Sequence, residues 1–564
     1  MSVKTYINSL KKEKASRGNV NKPVPGHESI SVPNFGGGYS LKMHPMDVME
    51  RFLILGVEGS YYAIGKNQLL QNNTKNIISI IGSDPKNAAK LIRVVSSQKR
   101  AISNDPAIYA TALLCSHPNI NIRQLGYDLV SDVCRTGTHL FHFCEMVSNM
   151  RGFSRGLNRA ISNFYTEKDW DSLVYQTLKY RQRDGWSVAK VMRLAHPNFR
   201  SNPYNNALAD YIVNGNEENL YNLCYNGVEC KGSKQVLSFL EISKWKESEK
   251  SKKQMRELIT HIVFSDLTQE FIPTWYKNEP EVQEALLEKM PLMATLRNIS
   301  SYTASGLIAP FSKASKLVSE RITNQEALRK AGVHPLNVFV TSRIYNSGRG
   351  FKGSLAWSPD PKVSSALEDC FNLSFSSAPV MGKNFMISVD VSGSMSSKFQ
   401  NYPFTYCEVA SCIALAMVKR EPSTYVVGFS DKLNHLNFTE KDTLDSAVKK
   451  ASKFNCGYTN AGLSIKYAID KKLDVDVFLH ITDNDFNNGK HPLTLTQDFR
   501  EKMNKPQTRL MSVGLIPYDY GTIGNGLADG IDKYSMDISG FDSSIPTIIH
   551  KFCSTNRSNS VEEE

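Results

Sequence analysis

Two carboxylates and three hydroxyls in three separate stretches of the chain have the residue types to hold one hard cation. Asp390, Ser392 and Ser394 stand in Val389-Asp-Val-Ser-Gly-Ser-Met395, Thr459 in Cys456-Gly-Tyr-Thr-Asn460, and Asp483 at the end of Val475-Asp-Val-Phe-Leu-His-Ile-Thr-Asp483. All five offer oxygen, which suits Mg²⁺ and not zinc. Two carboxylates do not fill an octahedral shell, so waters and an acidic group from a partner are expected to complete it. Asp and Ser also cap helices, and the first three residues alone do not decide between a cap and a ligand set. Thr459 and the second strand-end Asp tip the reading to metal. A catalytic Mg²⁺ for a nuclease or phosphatase is the competing chemistry. Against it, three of the five donors are hydroxyls and no further carboxylate cluster or lysine suggests a second metal.

The elements that position these residues are legible. Asn384-Phe-Met-Ile-Ser-Val-Asp390 and Val475–Asp483 are apolar runs that stop at a carboxylate, as buried parallel strands do when a ligand sits at their carboxyl ends. Thr424-Tyr-Val-Val-Gly-Phe429 and Arg509-Leu-Met-Ser-Val-Gly514 read as two more strands. With these residues the segment from about Gly382 to Cys553 resembles a von Willebrand factor A domain with its metal-ion-dependent adhesion site. That resemblance implies a doubly wound, Rossmann-like α/β domain holding a divalent cation, expected to be Mg²⁺, on Asp390, Ser392, Ser394, Thr459 and Asp483. It implies docking of a protein ligand at the metal and no catalysis.

The formal charge of +12 over 564 residues is unevenly placed. Residues 1–380 hold 47 Lys+Arg and 33 Asp+Glu, net +14, and residues 381–564 hold 20 and 22, net −2. A basic module therefore precedes a slightly acidic one, and its excess points to polyanions, nucleic acid before membrane. The ten cysteines form no C-x-x-C pair and several lie in apolar helical context, as reduced core residues do. No apolar leader opens the chain and no apolar run approaches a bilayer span. An intracellular protein is expected, cytoplasmic with a nuclear share left open, without membrane attachment and monomeric.

Residues 1–36 are polar and punctuated by Pro and Gly and read as a mobile lead-in. From about 47 to 345 the periodicity predicts successive amphipathic helices, among them Asn87–Ser97, Asp105–Ser116, Ile122–Cys134, Thr138–Asn149, Leu157–Tyr165, Trp170–Gln182 and Glu281–Asn298, with Asp105 as an N-cap before Pro106. Short connections suggest an α-solenoid, with a compact bundle as the alternative. Residues 151–200 hold ten Lys/Arg against four Asp/Glu. There Lys179 and Arg183, four apart, are expected on one helix face, with Arg193 and His196 three apart in the next segment. Tyr175, Tyr180 and Trp186 are interleaved. Lys86, Lys90, Arg93, Lys99 and Arg100 form a second stretch with no acidic residue. Such tracks suit phosphates, with aromatic and Arg planes to stack on unpaired bases. Basic faces also merely solvate helices, and Trp186 and Tyr180 read more readily as core.

Several runs resemble the TROVE module: Arg51-Phe-Leu-Ile-Leu-Gly-Val-Glu-Gly59 with Tyr61-Tyr62, Val133-Cys-Arg-Thr-Gly-Thr-His-Leu-Phe141, Lys179-Tyr-Arg-Gln-Arg-Asp-Gly-Trp-Ser187, Met290-Pro-Leu-Met-Ala-Thr-Leu-Arg-Asn298 and Val333-His-Pro335. A TROVE module followed by an A domain is the layout of the 60-kDa Ro ribonucleoprotein autoantigen family. The resemblance implies a ring of HEAT-like helical repeats closed by the A domain. It implies binding of Y RNAs and of misfolded noncoding RNAs through a single-stranded 3′ end, in RNA quality control and stability, without enzymatic activity. Carried onto this sequence, it makes Lys179, Arg183 and His196 the leading RNA contacts, followed by Arg193 and Arg135. The expected domains are a flexible segment 1–36, a TROVE module 37–375, an A domain 382–553 and a polar tail 554–564. The alternative is a metal-dependent protein-interaction adaptor with no specific RNA role.

Overall fold

The computed structural model describes residues 22–56, 66–183, 185–199, 202–227, 229–350, 354–375, 379–399, 404–454, 457–524, 532–542 and 544–554. The quoted stretch Val57–Tyr62 and the tail beyond Ser554 lie outside them.

From Pro45 to Ser374 the described residues form twenty α-helices. Their starts are set by short polar side chains that accept a first-turn N–H: Asp84, Thr136, Ser154, Asp169 and Ser187 each cap the helix that follows, satisfying a donor the helix itself leaves open. Helices pack mainly on near neighbours in sequence, the solenoid arrangement, around one continuous apolar core. Three expected helices differ. Ile122–Cys134 is two, Ile120–Tyr127 and Val130–Val133. Glu281–Asn298 is also two, Pro280–Lys289 and Leu292–Ala304, because Pro291 cannot continue the first and starts the second. Trp170–Gln182 stops at Lys179, where Tyr180 leaves the helical region. Asp105 lies inside its helix, with Asn104 at the cap position.

The ends of this helical run meet. Lys99 Nζ donates to the Ala331 carbonyl at 2.8 Å, joining the third described helix, Pro85–Ser97, to the end of Gln325–Ala331. Both ends also dock on the C-terminal module. Arg100 binds Asp542 (2.6 Å) and Glu50 (2.7 Å), His334 Nε2 meets the Phe541 carbonyl at 2.9 Å, and Arg343 pairs with Glu408 and Asp445. The helices thus close into a ring sealed by the sheet module.

That module is a six-stranded sheet ordered β11-β9-β8-β5-β6-β7, with β5 Phe385–Asp390, β6 Thr424–Phe429, β7 Leu433–His435, β8 Val477–Thr482, β9 Arg509–Gly514 and β11 Ser535–Ser539. All pairings are parallel except that of β7 with β6. Both faces are covered, so β5, β8 and β9 are buried at every position and mostly apolar. One face, with Ile387, Val389, Leu479 and Val513, belongs to the core shared with the ring. The other, with Met386, Phe478 and Leu510, packs on Ile465 and Phe499.

Val24 and Leu41 are buried in that second core. Residues 22–36 are therefore not the mobile lead-in expected of them, and residues 1–21 lie outside the described part. β1 Ser31–Pro33 and β2 Tyr39–Lys42 pair with each other, and β2 pairs with β10 Tyr520–Gly521. The chain threads the sheet module first, builds the ring, and returns.

Candidate metal centre and nucleic-acid interface

After β5 the chain moves to β6 on one side, and later to β8 on the other, so the β5–β8 boundary is the switch point of the sheet, where open α/β folds gather ligands. Asp390 ends β5 and Asp483 follows β8. Ser392, Ser394 and Thr459 join them, and all five are at most 3% exposed. Asp390 accepts the Ser392 N–H at 2.9 Å and the Thr482 hydroxyl at 2.7 Å. The Ser392 and Ser394 hydroxyls lie 3.1 Å apart, and Asp483 accepts the Asp485 N–H at 3.0 Å. Burial, with the neighbouring Asp483 charge, pushes Asp390 up to about 7, and burial raises Asp483 as well. A cation between them would hold both ionised. The Thr459 hydroxyl is buried with no hydrogen-bond partner, as a ligand oxygen is when it waits for metal. The donor set therefore fits a hard divalent ion. No group of three or more His, Cys, Asp or Glu suited to metal occurs among the described residues, which leaves this hydroxyl-rich set as the candidate.

The loops carrying the ligands are held by residues that sequence reading passed over. Asn487 accepts the Thr459 N–H at 2.8 Å and returns its own N–H to the Thr459 carbonyl at 3.1 Å. Asn34 donates to the Phe486 carbonyl (2.9 Å), Ser40 to that of Asn484 (3.0 Å), and Tyr518 and Tyr520 to the Asp485 carboxylate (3.2 and 2.6 Å). Gly36 passes so close that a Cβ there would lie 2.7 Å from the Asp485 carbonyl. The signal available was the polar run Asp483-Asn-Asp-Phe-Asn487 directly after an apolar strand.

The basic candidates divide. Lys179 and Arg183 do not share a helix face. Lys179 ends its helix, while Arg183 lies in the two-stranded hairpin β3 Gln182–Arg183 and β4 Trp186–Ser187, paired with Trp186 across Asp184-Gly185. Asp-Gly is a favoured hairpin turn, and Gly185 has φ +79°. Arg181 and Arg183 are exposed, and the Arg181 guanidinium lies over the Phe239 ring at 5.1 Å. The next helix, Val188–Ala195, adds exposed Lys190 and Arg193 and is capped by exposed His196 in the left-handed region. Lys190 covers the Trp186 ring at 4.0 Å and Arg193 also donates to the Val213 carbonyl. Trp186 is buried, its indole on Glu145 at 2.8 Å. Lys179 instead turns inward, donating to the Tyr175 hydroxyl at 2.6 Å with Glu270 at 3.5 Å. Arg135 is half-buried, with Nη1 on the Ser96 carbonyl at 2.7 Å. The stretch Lys86–Arg100 is an open track only in part: Arg93 pairs with Asp132, Lys99 holds the Ala331 carbonyl, and Arg100 holds Asp542 and Glu50. Acids from other elements thus meet two of its five cations, while Lys86 and Lys90 stay exposed.

The chain matches the TROVE domain family over residues 32–343 and the Ro60 vWA domain family over residues 384–553. It is 30% identical to the RNA-binding protein RO60 of Caenorhabditis elegans, over 92% of this chain and 90% of that protein. It is 29% identical to the RNA-binding protein RO60 of Deinococcus radiodurans, over 92% and 95%. The crystal structure of the Deinococcus radiodurans RO (RSR) protein superposes with a TM-score of 0.64 at 27% identity, covering 90% of this chain and 99% of that one.

Proposed function

Because the chain belongs to the Ro60 family, with a TROVE domain followed by a Ro60 vWA domain, we propose that it binds RNA through the exposed hairpin and helix of residues 181–196. The observation that carries this is the exposed series Arg181, Arg183, Lys190, Arg193 and His196, interrupted by the single acid Asp184. The RNA-binding relatives and the net +14 of residues 1–380 support it. The RNAs are small noncoding RNAs of the Y type and misfolded noncoding RNAs with single-stranded 3′ ends, and the role is quality control and stability without turnover. The A domain holds a divalent cation, Mg²⁺ by its oxygen donors, on Asp390, Ser392, Ser394, Thr459 and Asp483, where the ion supplies an open position for an acidic group of a protein ligand. No helix among the described residues is long and apolar enough to cross a membrane.

Filter binding of a hairpin RNA with a single-stranded 3′ tail, titrated with salt, tests the reading. Affinity is expected to fall steeply, with a log–log slope of about 0.7 per phosphate contacted on single strands. A flat salt response, or wild-type affinity after combined Arg183→Glu and His196→Ala substitution, would overturn it. Labelled RNA that is cleaved in Mg²⁺ by wild type and not by Asp390→Ala would instead make the protein an enzyme.

A further inference from the structure

Lys179 lines a cavity of about 600 Å³ between the helices Trp170–Lys179, Pro280–Lys289 and Leu292–Ala304. That volume is in the range of small-molecule sites. Its wall is divided by chemistry. Leu286, Met290, Pro291 and Ala294 give an apolar side, and Tyr175 brings an aromatic ring. Gln176, Thr268 and Asn298 offer neutral donors and acceptors.

The wall carries four cations, Lys179, Lys231, Lys289 and Arg297, against three acids, Asp171, Asp266 and Glu270, an excess of one positive charge. Of the four cations on the wall, Lys231 is paired to Asp266. Lys179 has only the longer contact with Glu270 and keeps its hydrogen bond to Tyr175. Lys289 spends its ammonium on the Val263 carbonyl, which leaves the charge uncancelled. Arg297 is exposed, and no acid within ion-pair distance is found for it among the described residues. A ligand matching this wall has a flat, partly apolar ring system with hydrogen-bonding edges and an anionic tail.

We propose that this cavity receives one unpaired nucleotide of the bound RNA, its base against Tyr175 and the apolar side and its phosphate on Arg297 and Lys179. The proposal rests on the RNA-binding reading above. Lys179 lines the cavity and stands two residues before Arg181 and the exposed hairpin, which joins the cavity wall to the proposed RNA surface along the chain. Stacking of a base on an aromatic ring holds unpaired nucleotides with little regard to sequence.

The test uses the full chain, at one salt concentration, with two RNAs: a hairpin carrying a short single-stranded uridine tail and the same hairpin without it. Ala294→Trp fills the cavity, and Arg297→Gln, an exposed change that leaves the packing alone, removes its unpaired charge. Each variant is expected to bind the tailed RNA about tenfold more weakly and the blunt hairpin as wild type does. Should Ala294→Trp fail to fold by thermal melt, Arg297→Gln decides alone. Undiminished binding of the tailed RNA overturns the pocket while leaving the RNA-binding reading in place. Equal weakening of both RNAs also overturns it, because Arg297 would then act only through general charge. If the wild-type protein binds neither RNA, the RNA-binding reading falls and the pocket with it.

Discussion

Thr459 separates a metal ligand from a structural hydroxyl. Its Oγ1 is buried and has no partner, and an unsatisfied buried hydroxyl costs about 1–3 kcal/mol. Thr459→Val replaces it with a methyl group of the same shape. If the hydroxyl serves the cation, two effects of opposite sign follow. In EDTA the variant should melt at or above the wild-type temperature, because the penalty is gone. In Mg²⁺ the ligand-induced rise in melting temperature, which follows mass action, should shrink. A variant that loses stability in EDTA and keeps the full Mg²⁺ shift would make Thr459 structural. This residue was legible in sequence only together with its four companions. Its clamp, Asn487, was not, because the hydrogen bond joins two loops 28 residues apart in the chain.

At the scale of elements, the segment 179–196 teaches the most about what spacing conveys. A separation of four places Lys179 and Arg183 on one face only while the helix lasts, and it lasts to Lys179. The Asp-Gly pair, directly after Arg183, was the signal for the hairpin. The long apolar strands β5, β6, β8 and β9 were readable to within a residue or two because burial on both faces leaves little room for polar alternation. The stretch 86–100 misled in part for the converse reason: Arg93 and Arg100 are paired with acids from distant elements, which a local window does not see. The hairpin carries its own prediction. Arg183→Glu should weaken RNA binding and reduce the salt slope by about one contact without moving the melting temperature. Trp186→Ala, which empties a site packed on Phe153 and Lys190, should cost about 3–5 kcal/mol in a thermal or denaturant melt. Equal loss of stability in both variants would mean that Arg183 is structural and its effect on RNA indirect.

In the whole molecule, a neutral buried histidine is one of the contacts that seal the ring. His334, 2% exposed, caps the helix Pro335–Asn346 through Nδ1, which accepts the Leu336 N–H at 3.2 Å. Its Nε2 donates to the Phe541 carbonyl of the sheet module at 2.9 Å. Both nitrogens are thus satisfied in the neutral ring, and a second proton on Nδ1 would have to displace a backbone donor. Burial lowers the pKa from 6.5 to about 4, although the Asp542 carboxylate nearby favours the charged form. Asp542 is itself committed to Arg100, whose other partner is Glu50, so it compensates only in part. The linkage then has a fixed sign. Above pH 6.5 the histidine is neutral whether the protein is folded or not, and its contribution is fully present. Between 6.5 and 4 the unfolded chain takes up a proton that the folded chain refuses, so stability falls as pH falls. A pKa of about 4 against an ordinary 6.5 corresponds to about 3 kcal/mol at most. His334→Asn keeps an N-cap acceptor and removes the titration. Its denaturant-derived stability should fall less steeply than wild type across that window, by up to one proton's worth of slope, other buried histidines contributing equally to both proteins. Parallel pH profiles for wild type and variant would show that His334 titrates alike in both states and does not hold the seal. A steeper wild-type profile would tie the closure of the ring to acidity, at the point where its first and last helices meet the sheet.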